Sequence, residues 1–328
     1  MKPMYLVSRW LLSGIVAMSL PAVAAGQLDL SGYVDGSGAI SVLRGGDSAD
    51  PYFALQALLL AHENGIDISV AAEKFVNWLL PMQKPDGTFD RFCRRSGGTG
   101  WNACKTADAD DALLAYWMRL LETMPAQLKN NPLWMKSYFI SKTSLERLYQ
   151  PSRGIYMVSP VYLHGLFMDN LEVWSLKIRQ ARRGDPAQAQ KLGTAIHDSF
   201  WDPVNKRFLV STQLEQRTEK PVFYPDHVAQ IFPLLMDFPL VQGTASSYYR
   251  DWMKAHRADW LRQSATDYPW GVLAVLAVRQ RDAVSARCWL REAVYLRHSS
   301  RWAITDEVAY QIVSSAGLKP ALQNADCS

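Results

Sequence analysis

Carboxylates crowd two points of this chain more densely than helix capping requires. Thr106-Ala107-Asp108-Ala109-Asp110-Asp111-Ala112 sets three at one expected helix start, and Phe167-Met168-Asp169-Asn170-Leu171-Glu172 sets two on one face of a single turn. Other expected helix starts carry Asp50, Asp226, Asp267 and the pair Asp306/Glu307. Asp is a preferred N-cap and favours the positive end of the helix dipole, so about half of these acids are assigned to capping. The excess at 108–111 and 169–172 calls for another role. Crowded carboxylates couple, so one keeps its proton while another is ionised, which is the division of labour that cleaving an acetal demands. Asp108 or Asp110, in a polar loop at a helix N-terminus, suits the base or a stabilising anion. Asp169 follows the apolar Leu166-Phe167-Met168 and suits a raised pKa and a general-acid role, with Glu172 beside it.

Aromatic residues stand at the same places: Tyr52, Trp101, Phe167, Tyr224, Tyr268, Trp270 and Trp302. Rings beside carboxylates offer platforms for the apolar C–H faces of sugars. The expected binding set is Tyr52, Trp101, Tyr224, Asp226, His227, Trp270 and Trp302, whereas Trp117, Trp174 and Trp289 fall within helical stripes and read as packing. Tyr224, His227 and Arg301 hold the parts of a different chemistry, proton abstraction beside a neutralised carboxylate, as a polysaccharide lyase or epimerase needs. Arg94 and Arg95 are further candidates for an acidic sugar, although solvated surface arginine is commoner.

Placing these residues together requires helices. Residues 52–61 are apolar nearly all round, as are 228–236 and 270–277. Ala72, Phe75, Val76, Leu79 and Leu80 instead form one stripe, as do Leu171, Trp174, Ile178 and Ala181. Helices dry on most faces alternating with helices wet on one side predict two concentric layers. Pro85-Asp86-Gly87-Thr88-Phe89, Pro151-Ser152-Arg153-Gly154-Ile155-Tyr156 and Asp202-Pro203-Val204-Asn205-Lys206-Arg207-Phe208 recur as tight turns opening short strands. The expectation is an all-α ring of eleven or twelve helices in five to six hairpins, a single unit over residues 26–328. The N-termini of its inner helices, and with them the acids, share one end.

With those segments in view, the chain resembles the (α/α)6 toroids of the six-hairpin glycosidases. Asp86-Gly87-Thr88-Phe89 with 106–112 is similar to the Ala-Asp-Ala-Asp region of glycoside hydrolase family 8, and 167–172 is similar to the inner-helix start of unsaturated glucuronyl hydrolases. Phe200-Trp201-Asp202-Pro203 and Tyr224-Pro225-Asp226-His227-Val228-Ala229-Gln230 extend the likeness. The resemblance implies hydrolysis of a polysaccharide or exopolysaccharide. The chain departs from family 8 in lacking its Ser-Glu-Gly segment, whose place is held by Asp47-Ser48-Ala49-Asp50-Pro51-Tyr52. Three other readings stand beside hydrolysis: a non-catalytic accessory that binds and guides a polysaccharide with synthesis or export machinery, the lyase or epimerase, and a class II terpene cyclase, whose Asp-x-Asp-Asp acid 108–111 matches.

Composition narrows the setting. The chain has 328 residues, 48% hydrophobic and 20% charged, with twelve Trp, fourteen Tyr and eleven Phe, which excludes disorder and collagen-like repeats. Lys2 and Arg9, the apolar run 10–20 and Pro21-Ala22-Val23-Ala24-Ala25 make a secretory leader over residues 1–25, too short to span a bilayer. Its removal leaves the chain close to neutral, so nucleic acid is not an expected partner. No later stretch is long and apolar enough for a membrane span, and a periplasmic or secreted location is expected. In that setting the four cysteines read as two disulfides, Cys93–Cys104 and Cys288–Cys327. None has Cys-x-x-Cys spacing and the six His are scattered, so no metal or other cofactor is expected.

Overall fold

A computed structural model describes residues 26–327 apart from 96, 97, 99, 183, 185, 218, 219, 241 and 242; the expected leader over 1–25 lies outside the described residues. Twelve α-helices occur among the described residues: α1 (Pro51–Glu63), α2 (Ser69–Leu79), α3 (Asp110–Thr123), α4 (Ala126–Lys129), α5 (Pro132–Arg147), α6 (Phe167–Ala181), α7 (Ala187–Phe200), α8 (Val228–Leu235), α9 (Ala245–Thr266), α10 (Gly271–Arg279), α11 (Ala283–Ala293) and α12 (Ile304–Ser315). Helices α1, α3, α6, α8, α10 and α12 form the inner ring. In it α1 touches α3 and α12, α6 touches α3 and α8, and α10 closes on α12. Their sequences explain the position: α3 is buried continuously from Asp111 to Leu121, and α10 from Leu273 to Ala277. The outer helices α2, α5, α7, α9 and α11 pack on α1, α3, α6, α8 and α10 in turn, each offering one stripe. In α2 that stripe is Ala72, Phe75, Val76 and Leu79.

Outside α12 the layer is not helical. Residues 27–46 run along α12, where Gln311 Nε2 donates to the Asp29 carbonyl (2.6 Å) and Ile304 N donates to the Val42 carbonyl (2.9 Å). Gly- and Ser-rich chain without a helical period supplies the cover that a sixth outer helix gives elsewhere.

Short antiparallel strands link the helices: β1 (Ser48–Ala49), β2 (Asp90–Cys93) and β3 (Asn102–Thr106) in one sheet, and the hairpins β4 (Tyr149–Gln150)–β5 (Ile155–Tyr156) and β6 (Trp201–Asp202)–β7 (Arg207–Phe208). Their turns sit where the recurring Pro/Gly/Asn segments do, with Gly154 at φ 72° closing β4–β5. Cys93 pairs with Cys104 across β2–β3, and Cys288 of α11 pairs with Cys327, which holds the C-terminal tail on the outer layer. Among the described residues no helix is long and apolar enough to cross a membrane.

Candidate active site

The inner helices deliver their N-terminal ends to one mouth. There a cavity of about 360 Å³ is lined by Tyr52, Phe53 and Gln56 of α1, Met168 and Asp169 of α6, Val228 and Phe232 of α8, and Gly271 and Val272 of α10. Thr305 and Asp306 of α12, with Tyr224, Asp267, Tyr268, Trp270 and Val42 from the connections, complete it. Among the described residues its walls hold three carboxylates and no Lys or Arg.

Asp169 is placed by its neighbour. The Asn170 side-chain amide donates to the carbonyls of Tyr156 (3.0 Å) and Leu166 (2.9 Å), and its Oδ1 accepts from Tyr156 N (2.8 Å). This locks the start of α6 to hairpin β4–β5, while Phe167 N donates to the Val210 carbonyl (2.9 Å) on the other side. The Asp169 carboxyl is buried with Oδ2 unpartnered, and burial, reinforced by the Asp108 charge, pushes its pKa up to about 7. One turn deeper, Glu172 Oε1 accepts from the hydroxyls of Tyr52 (2.7 Å) and Tyr116 (2.8 Å), and its Oε2 is unpartnered. Burial first and the Asp169 charge second push Glu172 up to about 8. Asp111 completes the group: it is fully buried, accepts only from Ala112 N (2.9 Å), and is raised well above the carboxylate range by burial and by Asp169. Three acids thus lie buried close enough to perturb one another and cannot all be charged at neutral pH.

The three acids of 108–111 separate because α3 begins at Asp110, with Asp110 N donating to the Val158 carbonyl (2.8 Å). Asp108 stays outside the helix, exposed, in an ion pair with Arg91, which also holds Asp50 (2.7 Å). Asp111 turns inward. Asp110 turns toward Lys84, Asp86 and Asp90, and burial pushes it up to about 6. The anion-favouring environment expected for Asp110 is therefore not what the helix start supplies, because desolvation outweighs the dipole there.

The aromatic set divides as well. Tyr52, Tyr224 and Trp270 line the cavity, with the Tyr224 and Trp270 rings 5.0 Å apart. Trp270 takes the left-handed conformation, φ 52°, at the start of α10, and its indole N–H is buried without a partner. A bulky residue held at positive φ is a strained arrangement of the kind that concentrates at functional sites. Trp302 is fully buried, stacks on Trp289 at 5.8 Å and donates to Glu307 Oε2 (3.0 Å), so it offers no ring face to a ligand. Trp101 packs edge-on to Trp78 and donates to Asp35 Oδ2 (2.7 Å) beneath the Arg94 guanidinium, which fixes the β2–β3 hairpin. Asp226 Oδ2 accepts from Val222 N (3.1 Å) within its own turn. His227 lies outside the cavity against His256, and Arg301 donates to the Ser264 carbonyl (3.1 Å). Sequence reasoning did not select Asp111, Asp306 or Tyr116 for the site. Asp306 joins two inner helices by accepting from Gly271 N (2.7 Å) and Ala303 N (3.2 Å), and burial pushes it up to about 7. Tyr116 lies in the continuously buried part of α3, and its hydroxyl is what reaches Glu172.

No protein-family model and no curated protein matches the sequence. Solved structures are similar in fold. An α-amylase from Clostridium perfringens superposes with a TM-score of 0.52 at 8% identity, over 85% of this chain and 94% of that one. The GH63 mannosylglycerate hydrolase of Thermus thermophilus, solved in complex with glucose, superposes with a TM-score of 0.52 at 11% identity, over 86% and 97%. The fold is that of a glycosidase-like α/α toroid.

Proposed function

We propose that the chain is an exported glycoside hydrolase that cleaves a polysaccharide by carboxylate acid–base catalysis. The observation that carries this reading is Asp169: a carboxyl held near pKa 7 on the wall of an aromatic cavity, at the end of the ring where the inner helices begin. A group half protonated at neutral pH is matched to donating a proton to a glycosidic oxygen. Asp108 is the base or stabilising anion in this reading, since it is solvent-facing and close enough to Asp169 to raise its pKa. Glu172 and Asp111 are positioning groups: both are buried and held protonated, and the charge that raises Asp169 comes from Asp108. Tyr52, Tyr224 and Trp270 supply the sugar platform. The activities named for the two similar solved structures, an amylase and a mannosylglycerate hydrolase, agree with a carbohydrate substrate. Two disulfides agree with an oxidising compartment outside the cytoplasm.

Lyase or epimerase chemistry on a uronate finds little support, because no Lys or Arg among the described residues lines the cavity to neutralise the sugar carboxylate. The same walls favour a neutral glycan. The test is reducing-end release from a panel of neutral and acidic polysaccharides, with Asp169→Asn and Asp108→Asn compared against wild type. Release by wild type, with a loss of at least about a hundredfold in Asp169→Asn, supports the proposal. Binding without release by wild type returns the chain to a polysaccharide-binding accessory.

A further inference from the structure

Away from the cavity, on the outer side of the ring, three metal-ligating side chains converge. His227 ends the π-helical turn Phe223–His227, and His256 and Asp259 lie three residues apart on one face of α9. One donor atom from each falls within 4.8 Å of the other two. The two imidazoles face each other at 4.0 Å between ring centroids, and Nδ1 of both is buried without a hydrogen-bond partner. Two buried ring nitrogens without partners are costly, and a shared electrophile removes the cost from both at once.

We infer that His227, His256 and Asp259 bind a divalent transition-metal ion of the zinc class. Two imidazoles and one carboxylate suit that class and not the oxygen-seeking Mg²⁺ or Ca²⁺. Tetrahedral ligands at about 2.0 Å from zinc stand roughly 3.3 Å from one another, so side-chain rotations of about an ångström close the set. The surroundings favour such closure. Trp252, one turn before His256, packs on its ring at 5.3 Å and donates from Nε1 to the His227 carbonyl (2.8 Å), which fixes the turn against α9. His227 and Asp259 border an open surface groove of about 420 Å³, which gives an ion access and leaves room for a water as fourth ligand. Asp259 is paired with Arg262, itself 69% exposed, and an exposed pair of this kind yields readily to a divalent ion. His227 shares its turn with Tyr224 of the cavity wall, so the ion ties that wall to the outer layer.

The experiment is calorimetric titration of the untagged, chelator-stripped chain with ZnCl₂, with MgCl₂ and CaCl₂ alongside, and no glycan present. The expected result is one Zn²⁺ per chain, binding at least about tenfold weaker in both His256→Ala and Asp259→Asn, and unchanged binding in His62→Ala. Visible d–d absorption of the Co²⁺-loaded chain reports tetrahedral ligation, and it disappears in His256→Ala. Circular dichroism of the metal-free variants verifies their folding, and Asp259→Asn, a surface change, keeps the test valid where His256→Ala is unstable. Absence of stoichiometric Zn²⁺ uptake by wild type, or undiminished uptake in both variants, overturns the site. Mg²⁺ or Ca²⁺ held as tightly as Zn²⁺ overturns the ligand class. None of these readouts depends on hydrolysis.

Discussion

Replacing Glu172 by Gln isolates the energetics of the buried acids. Gln keeps the shape and an oxygen that accepts from Tyr52 and Tyr116, but it cannot ionise. Glu172 is fully buried and its pKa is pushed from the ordinary 4.5 up to about 8. A group whose folded pKa lies above its unfolded value binds more protons in the native state. Its contribution is therefore complete below the unfolded value and is lost as pH rises through the folded one. At about 1.4 kcal/mol per pH unit, the stretch between pH 5 and pH 8 removes roughly 4 kcal/mol of wild-type stability that the Gln variant never had to lose. Urea unfolding at pH 5 and pH 9, followed by circular dichroism with the disulfides intact, reads this directly. The expected result is near-equal stability at pH 5 and a Gln variant more stable by roughly 4 kcal/mol at pH 9. Parallel pH dependences of the two proteins would refute the claim that Glu172 is held protonated.

Other consequences follow from the same geometry. With Asp169 as proton donor at about 7, kcat falls as pH rises through that value and is retained below it until the base protonates; a pH–rate profile of wild type shows this alkaline limb. Gly271 leaves no room for a side chain, since a Cβ there lies 2.7 Å from Ala309 Cβ and 2.8 Å from Trp289 Cζ2, so Gly271→Ala lowers stability by about 1–3 kcal/mol in thermal unfolding. The Cys288–Cys327 bond closes a loop of 39 residues, and Cys327→Ser costs about 4 kcal/mol on the chain-entropy argument, measured by urea unfolding against wild type.

The ring was legible because its signals are periodic and repeated. The stripe Ala72, Phe75, Val76 and Leu79 marks an outer helix, the apolar run 270–277 an inner one, and the turn residues at 85–89, 151–156 and 202–208 fall where strands open. The stripe read at Leu171, Trp174, Ile178 and Ala181 instead belongs to inner α6, which is buried from Asn170 to Lys177 because its polar residues Asn170, Glu172 and Ser175 are themselves inside. Phase at a helix start was not legible. Successive residues there point about 100° apart, so which of Asp108, Asp110 and Asp111 faces Asp169 depends on where α3 begins. That is set by a tertiary bond from Asp110 N to the Val158 carbonyl. The non-helical cover over α12 escaped for a related reason, since Gly- and Ser-rich chain reads as a lead unless its partner, Gln311, is known. Trp302 shows the converse: a tryptophan at a helix start reads the same from sequence whether it meets solvent or, as here, another tryptophan in the core.

The two ends of the ring treat charge in opposite ways, and that contrast bears on why chemistry is assigned to one of them. At the C-terminal ends of the inner helices, Glu63 of α1 pairs with Arg119, Arg179 (2.5 Å) and Arg279 (3.6 Å). Cations near helix C-termini complement the dipole, and the carboxylate among them is paired with opposite charge, which closes the axis at this end. At the N-terminal ends Asp111, Asp169 and Glu172 are buried together, and three of their oxygens lack partners. Two links connect the ends: Arg119, anchored by Glu63, lies over the Tyr116 ring at 5.4 Å and Tyr116 donates to Glu172, while Arg119 also donates to Ser175 Oγ (2.8 Å), which donates to the Glu172 carbonyl (2.5 Å). A fold selected for stability alone has no use for three buried acids each with an unpartnered oxygen, since apolar side chains of similar volume remove the desolvation cost. What the arrangement supplies is a proton held close to neutrality on Asp169, at the one member of the trio that reaches the cavity wall.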